Sequence, residues 1–353
     1  MNKRVTKGIF IFLCITAALL LAVTAVFLVA RLFLSSFGDR VVAKESKVEE
    51  GTGALVKEDA RTNLLVMGKD DASGLYDVLM LVSYNITDGS VSVVQIPRDT
   101  YLEYTEASYK KINGAVSALG GETELCSFLS KAMCVEIDNY ISLDLDVVGK
   151  IVDELGGVEV NIPFDMNYKD PYQGLVIELK KGRTLLDGDM ARQFIRYRAG
   201  YAEGDLGRID AQKIFLAALA SKLASSVSLV DVSTLLASCV GDIKTNISLL
   251  DMLSLARRAF GISPDKVSFV TLAGESAVAK SSGASYYVIS RPSAIEIFNE
   301  LLGGCATEES FDKNKVFLNE KYDSFANIYY SDMPYTVYDA SSLLSGQLEV
   351  VKK

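Results

Sequence analysis

The sequence contains no histidine and no tryptophan among its 353 residues. Without histidine, the chain cannot use Ser-His-Asp or Cys-His catalysis, a histidine general base, or a zinc site that needs an imidazole ligand. Any chemistry therefore depends on carboxylates, lysine, arginine, hydroxyl groups or a metal ion held by oxygen ligands.

Cysteine is also scarce, with five residues in the chain. Cys14 lies in an apolar run, which leaves Cys126, Cys134, Cys239 and Cys305 for the rest of the chain. Four thiols permit three disulfide pairings, and the spacing does not choose among them; buried thiols are an equal alternative. None lies in a basic cluster that would activate a thiolate, so we assign the cysteines no catalytic role.

The chain is acidic overall, with a formal net charge of −9, although residues 1–7 carry three basic side chains and no acidic one. A nucleic-acid-binding surface needs clustered lysine and arginine, so this balance argues against a nucleic acid partner. An acidic surface suits a protein beside a membrane or cell wall, where cations bridge anionic groups.

One long apolar run, residues 8–30, contains no charged residue. As a helix it spans roughly 34 Å, enough to cross a hydrocarbon core of about 30 Å. The preceding basic residues predict a cytoplasmic stub at 1–7, a single-pass transmembrane anchor at 8–34 and a stalk at 35–61, with the rest of the chain outside the cell. A cleaved signal peptide is the alternative, but the run is longer than the usual apolar region of about 7 to 15 residues.

Strand-like and helix-like segments alternate beyond the stalk. Strands are predicted at 63–68, 77–85, 90–97, 140–145 and 158–163, and helices at 111–121, 122–133, 146–155, within 187–225 and from about 248. This alternation favours an α/β fold with a mixed central β-sheet flanked by helices on both faces. The predicted domain covers residues 62–302, followed by a tail or small accessory element at 303–353.

Two acidic residues lie at the ends of predicted strands. Asp70 follows the first strand and Asp77 opens the second. Two carboxylates at the ends of a sheet can share a hard cation such as Mg²⁺ or Mn²⁺, which takes oxygen ligands. An ordinary acidic turn is the alternative.

A charged pair, Arg98 and Asp99, follows the third strand directly after Pro97. Because proline ends the hydrogen-bond ladder, these side chains can project above the strand ends, where open α/β sheets bind ligands. A surface ion pair is the alternative. Lys111 then opens a predicted helix, where free N–H groups and the helix dipole attract anions.

More arginines follow in the segment from residue 192 to residue 212. The side chains of Arg196 and Arg198 point to the same side only if the backbone between them is extended. Both can therefore contact one ligand only if the helix ends before them. Asp205, Arg208 and Gln212 are spaced to lie on one face of the next helix. Guanidinium groups bind phosphate oxygens bidentately; solvated helix arginines are the alternative. The candidate clamp for a diphosphate consists of Arg98, Arg196, Arg198 and Arg208.

Taken in order, these motifs resemble the LytR-CpsA-Psr family of mainly Gram-positive bacteria: GKD…YD, IPRDT, KIN, GG, LGGV, G..ARQFIRYR and D..R...Q. The resemblance is strong from Asn63 to Lys222 and fainter to about Leu302. It implies a membrane-anchored extracellular phosphotransferase that moves a glycopolymer, typically wall teichoic acid or capsular polysaccharide, from an undecaprenyl-diphosphate carrier to peptidoglycan. Two alternatives stay open: a non-catalytic wall-binding or regulatory relative, and a pyrophosphatase that acts on the lipid diphosphate.

The resemblance also implies roles for single residues. Asp70 and Asp77 match the family's metal-associated acids, which would hold Mg²⁺ or Mn²⁺. The diphosphate contacts are matched by Arg98, Arg196, Arg198 and Arg208. Other polar positions that line the site are matched by Asp99, Lys111, Asp205 and Gln212. Asp99 or Asp205 is the candidate base that takes a proton from the attacking hydroxyl, which the family implies to be the C6 hydroxyl of muramic acid.

Two positions depart from the family pattern. Leu75 and Tyr76 stand where an arginine usually precedes the second acid, and Ala211 stands where an arginine usually precedes the glutamine. One or two phosphate contacts are therefore expected to be missing.

The lipid tail of such a carrier requires an apolar groove. The predicted helices at 124–133 and 144–155 are rich enough in Leu, Ile and Val to line one, although ordinary core packing explains the same residues more simply.

Overall fold

The computed structural model describes most of the predicted domain. The described residues are 61–69, 74–103, 110–171, 174–226, 235, 238–259, 262–314, 317, 325–326 and 333–348. They belong to the second of two units in the chain, Asp59–Lys353. The predicted stub, anchor and nearly all of the stalk lie outside these residues, and no described helix is long and apolar enough to span a membrane.

Strands and helices are interspersed along this part of the chain. The strands are β1 (Arg61–Lys69), β2 (Tyr76–Asn85), β3 (Val91–Ile96), β4 (Asn139–Asp144), β5 (Val158–Ile162), β6 (Met166–Asp170), β7 (Leu175–Leu179), β8 (Gly182–Leu186), β9 (Lys244–Thr245), β10 (Val267–Thr271), β11 (Gly274–Ala279), β12 (Ser285–Ile289), β13 (Phe325–Ala326) and β14 (Tyr338–Asp339). The helices are α1 (Ala115–Leu119), α2 (Glu122–Met133), α3 (Leu145–Glu154), α4 (Gly188–Arg196), α5 (Asp205–Ser226), α6 (Leu249–Ala259), α7 (Arg291–Leu302), α8 (Glu308–Asn314) and α9 (Ala340–Leu344).

The central sheet has the strand order β14-β10-β3-β2-β1-β4-β9 in the described part of the chain. β2 pairs antiparallel with β1 and β3, whereas β1 with β4 and β3 with β10 are parallel pairs. The sheet is therefore mixed, as predicted. β2 and β3 form a hairpin whose turn contains Asp88 and Gly89; glycine suits this turn because its φ is +70°.

Helices cover both faces of this sheet. On one face, Leu65 of β1 is buried in a cluster with Leu125 of α2 and Phe298 of α7. On the other face, Met80 of β2 is buried in a cluster with Ala217 of α5. Because successive strand residues point to opposite faces, the apolar content of these strands supplies two cores. The predicted α/β fold with a mixed sheet and flanking helices is confirmed.

Helices α3 and α4 approach each other closely through two glycines. A Cβ atom on Gly188 would collide with the carbonyl oxygen of Gly149. The first turn of α4 is capped twice, because Asp187 accepts from the Met190 N–H at 2.8 Å and Asp153 accepts from the Gly188 N–H at 2.7 Å. These contacts fix the direction in which α4 runs toward Arg196.

Residues beyond Leu302 contribute to the sheet and to its cover. β14 pairs antiparallel with β10 through Phe269 and Tyr338. In the helix that follows, α9, Ala340 and Leu343 are buried in the cluster that also contains Met80. The segment predicted as a tail or small accessory element therefore supplies an edge strand of the central sheet.

Candidate active site

Asp77 and Arg98 face each other where two neighbouring strands meet. Antiparallel pairing sets Leu79 of β2 opposite Ile96 of β3, so the start of β2 lies beside the residues that follow β3. Arg98 donates from Nη1 to Asp77 Oδ1 at 2.6 Å. The charged pair after Pro97 therefore stands at a strand end, and its arginine contacts the acid that opens the adjacent strand.

The first turn of α5 brings a second guanidinium group to the same carboxylate. Arg208 Nη1 lies 3.3 Å from Asp77 Oδ2, and Arg208 Nη2 lies 3.1 Å from Asp205 Oδ1. Arg98 Nε is 3.5 Å from Asp205 Oδ2. Asp77, Arg98, Asp205 and Arg208 thus form one connected set of charges, the aspartate–arginine network.

Electrostatics within this network favour the charged forms. Burial works to raise the pKa of the Asp77 carboxyl, but the charges of Arg208 and Arg98 outweigh it and hold that pKa below its usual value. Burial likewise works to lower the pKa of the Arg98 guanidinium, but Asp205 and Asp77 raise it. Asp77 is therefore a carboxylate that holds two arginines in place.

Two buried nitrogens of the network donate no hydrogen bond within the described part of the chain. They are Nε of Arg98 and Nε of Arg208. An unsatisfied buried donor costs about 1–3 kcal/mol, so such groups are usually paired. The acceptor Asp205 Oδ1 is likewise without a hydrogen bond there, so the network has unused hydrogen-bonding capacity.

Arg196 and Arg198 reach the same region because α4 ends between them. Arg196 is the last residue of the helix, and Tyr197 adopts an extended backbone with φ −63° and ψ 132°. The prediction that the helix ends before both arginines was therefore wrong by one residue, but the break still separates them. Tyr197 packs edge-on against Tyr201 with ring centroids 5.5 Å apart, which fixes the segment between α4 and α5.

Gln212 connects the same two helices. Its Nε2 donates to the carbonyl oxygen of Ile195 at 3.0 Å, in the last turn of α4. Its side chain also lines the cavity described below. The observed bond positions the end of α4, while direct contact with a substrate stays a prediction.

Asp99 and Lys111 form a separate pair beside the network. Lys111 Nζ donates to Asp99 Oδ1 at 2.7 Å and lies 5.6 Å above the ring centroid of Tyr286. Arg98 Nε lies 3.9 Å from Asp99 Oδ2. Lys111 therefore pairs with Asp99 in this structure, while its contact with a diphosphate stays a prediction.

A cavity of about 390 Å³ opens beside the network. Of the predicted site residues it is lined by Asp77, Arg98, Arg196, Arg198, Arg208 and Gln212. The structure thus brings the four clamp arginines to one cavity, whereas Asp99, Lys111 and Asp205 are not among its described lining residues. Asp70 lies outside the described residues.

Sequence reasoning missed several lining residues. Lys69 ends β1, and Tyr168, Asp170 and Ile177 come from the β6–β7 hairpin. Lys69 could have been found, because it stands in the GKD motif beside Asp70. The hairpin residues carry no motif, and only the folded chain places them at the cavity.

An apolar cavity of about 160 Å³ adjoins the first one. The two share Gly68, Val78, Leu145, Ile195 and Gln212 in their linings. The second cavity continues between the sheet and helices α3 and α5, where its further lining residues are Val66, Met80, Gln95, Leu143, Asp144, Val148, Ile151, Phe215, Leu216 and Leu219.

The predicted groove helices divide between the two sides of the sheet. Val148 and Ile151 of α3 line the apolar cavity, in agreement with the prediction for 144–155. By contrast, Leu125 and Leu129 of α2 are buried in the opposite cluster with Leu65. For 124–133 the structure agrees with the simpler explanation, ordinary core packing.

The residues that depart from the family pattern have other partners in the fold. Tyr76 donates from its hydroxyl to Glu122 Oε1 at 2.9 Å, while Leu75 lines the larger cavity. Ala211 is fully buried in a cluster with Phe194 and Tyr201. Neither Tyr76 nor Ala211 contributes a charge to the cavity.

The described residues alone do not form a metal site. No group of three or more acidic or cysteine side chains that could hold a metal occurs among them. Both carboxylate oxygens of Asp77 contact arginines, at 2.6 and 3.3 Å. The predicted partner Asp70 is outside the described residues, so Mg²⁺ or Mn²⁺ binding by the pair stays a prediction.

Fold and site together define a mixed-sheet α/β protein with an arginine-lined cavity that opens into an apolar one. The chain belongs to the LytR_cpsA_psr family, whose model matches residues 35–302. The family resemblance predicted from the motifs is thereby confirmed.

Individual relatives show how far the similarity extends. The chain is 29% identical over 221 residues to the polyisoprenyl-teichoic acid–peptidoglycan teichoic acid transferase TagV of Bacillus subtilis, covering 60% of this chain and 56% of TagV. It is 30% identical over 210 residues to the regulatory protein MsrR of Staphylococcus aureus, covering 58% of this chain and 62% of MsrR. The crystal structure of B. subtilis TagV matches 72% of this chain and 98% of the TagV chain in that structure, with 25% identity and a TM-score of 0.59. The chain thus spans little more than half the length of the first of these relatives.

Proposed function

We propose that this protein is a membrane-anchored extracellular phosphotransferase that moves a glycopolymer from a polyprenyl-diphosphate carrier to peptidoglycan. The observation that carries the proposal is the cavity lined by Arg98, Arg196, Arg198 and Arg208 together with its apolar extension. The chain is an enzyme of the transferase class, in line with the name of TagV. Teichoic acid, which is part of that name, is the first polymer to test.

The arginines would bind the diphosphate of the carrier. A diphosphate carries several negative charges, and planar guanidinium groups hold its oxygens with paired hydrogen bonds. Asp77 keeps Arg98 and Arg208 oriented before any substrate arrives, because one of its oxygens contacts each of them. Such preorganised charge costs no rearrangement when negative charge develops on the leaving phosphate.

The transfer step forms one bond and breaks one. A sugar hydroxyl of peptidoglycan attacks the phosphorus that bears the polymer, and the phosphoanhydride bond breaks to release polyprenyl monophosphate. The proton of the hydroxyl passes to a carboxylate, for which Asp99 and Asp205 are the candidates. Asp205 is held by Arg98 and Arg208, whereas Asp99 is held by Lys111. Arg98 lies beside both aspartates, 3.9 Å from Asp99 and 3.5 Å from Asp205.

The apolar cavity would take the first isoprenoid units of the carrier. Its described lining is almost entirely hydrocarbon, and it joins the arginine-lined cavity through Val78, Leu145 and Ile195. A lipid diphosphate has the same order of parts, with a charged head followed by an apolar chain. Burial of each CH₂ group contributes about 0.8 kcal/mol.

The experiment that tests this function uses the full chain in detergent with a synthetic polyprenyl-diphosphate-linked saccharide, Mg²⁺ and peptidoglycan fragments. We expect a phosphodiester-linked conjugate, detected by mass spectrometry, together with polyprenyl monophosphate. Replacing Arg98 with alanine should lower its rate of formation by about 10²–10³-fold, the usual loss for one group that stabilises developing charge. The proposal fails if the wild-type chain forms no conjugate or if Arg98→Ala forms it at an equal rate.

Three further variants separate the parts of the proposed site. Asp99→Asn and Asp205→Asn identify the base, because the variant that lacks it should bind the carrier normally but transfer slowly.

Val148→Phe fills the apolar cavity and should weaken binding of a long-chain carrier while leaving binding of a water-soluble short-chain analogue unaffected. Equal weakening for both carriers would contradict the assignment of the tail to this cavity.

A second function, regulatory binding without transfer, is favoured by one observation. MsrR, which matches this chain at 30% identity, is named as a regulatory protein. The same assay distinguishes the two functions: a regulatory protein would bind the lipid diphosphate and yield no conjugate. A third function, hydrolysis of the lipid diphosphate, would release the polymer phosphate without any need for peptidoglycan.

A further inference from the structure

Two cysteines far apart in the sequence lie side by side in the fold. Cys134 directly follows α2 and Cys305 follows α7, 171 positions further along the chain. The Cys305 N–H donates to the Cys134 carbonyl oxygen at 3.0 Å, and Cys305 Sγ lies 3.7 Å from the same oxygen. Gly304 permits this approach, because a Cβ there would lie 2.8 Å from Val135 Cγ2 and 3.0 Å from the Cys134 oxygen.

This geometry suits a disulfide. The bonded N and O atoms are 3.0 Å apart, which by standard bond lengths keeps the two Cα atoms within roughly 7 Å of each other; disulfides usually need Cα atoms about 4.4–6.8 Å apart. Cys134 Sγ points back toward the carbonyl oxygen of Lys131, at 3.9 Å. Formation of the bond would require the Cys134 thiol to leave this position.

The other cysteines in the described part of the chain are poor candidates. Cys305 is exposed and Cys134 is half-buried, so a soluble oxidant can reach both. Cys126 and Cys239 are buried, and burial raises the pKa of the Cys126 thiol to about 11. Thiol exchange requires a thiolate and access to the reagent, so Cys126 would react slowly even if it were reached.

We propose that Cys134 and Cys305 form a disulfide under oxidising conditions and so fasten the end of α2 to the segment after α7. The oxidant is a disulfide of the glutathione class. The Cys305 thiolate attacks one sulfur of the oxidant and releases one thiol, and the Cys134 thiolate then attacks the mixed disulfide and releases the second. Two protein thiols are oxidised and one disulfide of the oxidant is reduced to two thiols.

This bond would stabilise the chain without entering the reaction. It closes a loop that contains helices α3 to α7, and a crosslink across a long loop restricts the unfolded chain more than a crosslink across a short one. Neither cysteine lines the arginine-lined cavity in the described residues. The inference does not depend on the proposed function, although an extracellular location would supply suitable redox conditions.

The test is oxidation of the full chain in detergent with oxidised glutathione, followed by proteolysis and mass spectrometry without reductant. We expect a crosslinked peptide pair containing Cys134 and Cys305, the loss of two of the five thiols, and a higher unfolding temperature than for the reduced chain. Cys134→Ser and Cys305→Ser should each abolish the crosslink and the increase in unfolding temperature, whereas Cys126→Ser should retain both. A crosslink between other cysteines, or glutathione left on Cys305 as the final product, would overturn the proposal.

Discussion

Replacement of Arg98 by alanine should destabilise the fold as well as slow the reaction. The change removes the cation that lies 2.6 Å from Asp77, 3.5 Å from Asp205 and 3.9 Å from Asp99. Breaking a fully buried ion pair costs about 3–5 kcal/mol. The side chains of Arg98 and Asp77 are 18% and 30% exposed, and Arg208 still contacts Asp77, so we expect a loss of roughly 2 kcal/mol at pH 7.

The pH dependence of this loss provides the sharper measurement. Because the pKa of Asp77 is lower in the folded state, its carboxylate stabilises the fold above the unfolded pKa of about 3.9. That contribution disappears as the pH falls through the folded pKa. The difference between wild type and Arg98→Ala in urea unfolding should therefore shrink as the pH is lowered toward 3.

A matched control is Lys150→Ala, which removes the cation of an exposed ion pair with Asp242. Solvent screens such a pair, so no measurable loss of stability is expected at any pH. If Arg98→Ala destabilised the chain no more than Lys150→Ala, or if its effect did not depend on pH, the interpretation of Asp77 as an anchored carboxylate would be refuted.

Three further predictions concern the site and its support. Arg198→Ala should weaken binding of a polyprenyl diphosphate by about 10- to 100-fold, measured by calorimetry, with the unfolding midpoint unchanged; equal affinity would remove Arg198 from the clamp. Gly188→Ala should lower the free energy of unfolding by about 1–3 kcal/mol in urea titration, because its new methyl group collides with Gly149. The methyl group of the control Gly241→Ala meets open space, so this variant should lose less than about 1 kcal/mol. EDTA should abolish transfer and Mg²⁺ should restore it if the predicted pair Asp70 and Asp77 holds a metal; unchanged transfer in EDTA would exclude that role.

The elements of the fold were largely predictable because their signals are local. Apolar runs bounded by turn residues located β1 to β3, and Asp88-Gly89 marked the hairpin between the last two. Helical spacing correctly placed Asp205 and Arg208 on one face, where they contact each other. The sequence near β14 has no strong periodicity, since a strand of two residues at a sheet edge requires none.

The pairing of charges in the site could not be predicted in the same way. Arg98 contacts Asp77 because antiparallel register sets the end of β3 beside the start of β2, and register depends on the whole sheet. Nothing in the sequence indicated that the ammonium group of Lys111 would contact Asp99. Spacing along one helix identifies neighbours on that helix, but it does not show which cation from another element reaches a given carboxylate.

The pairing of β14 with β10 sets a practical limit on how the protein can be shortened. A fragment that stopped at Leu302, where the family match ends, would lose β14 and also α9, whose Ala340 and Leu343 belong to the buried cluster of Met80. The N–H and C=O groups on that side of β10 would then be bare, and Phe269 would lose part of its cover. An uncovered edge of this kind recruits strands from other molecules, so such a fragment should aggregate where the longer chain does not.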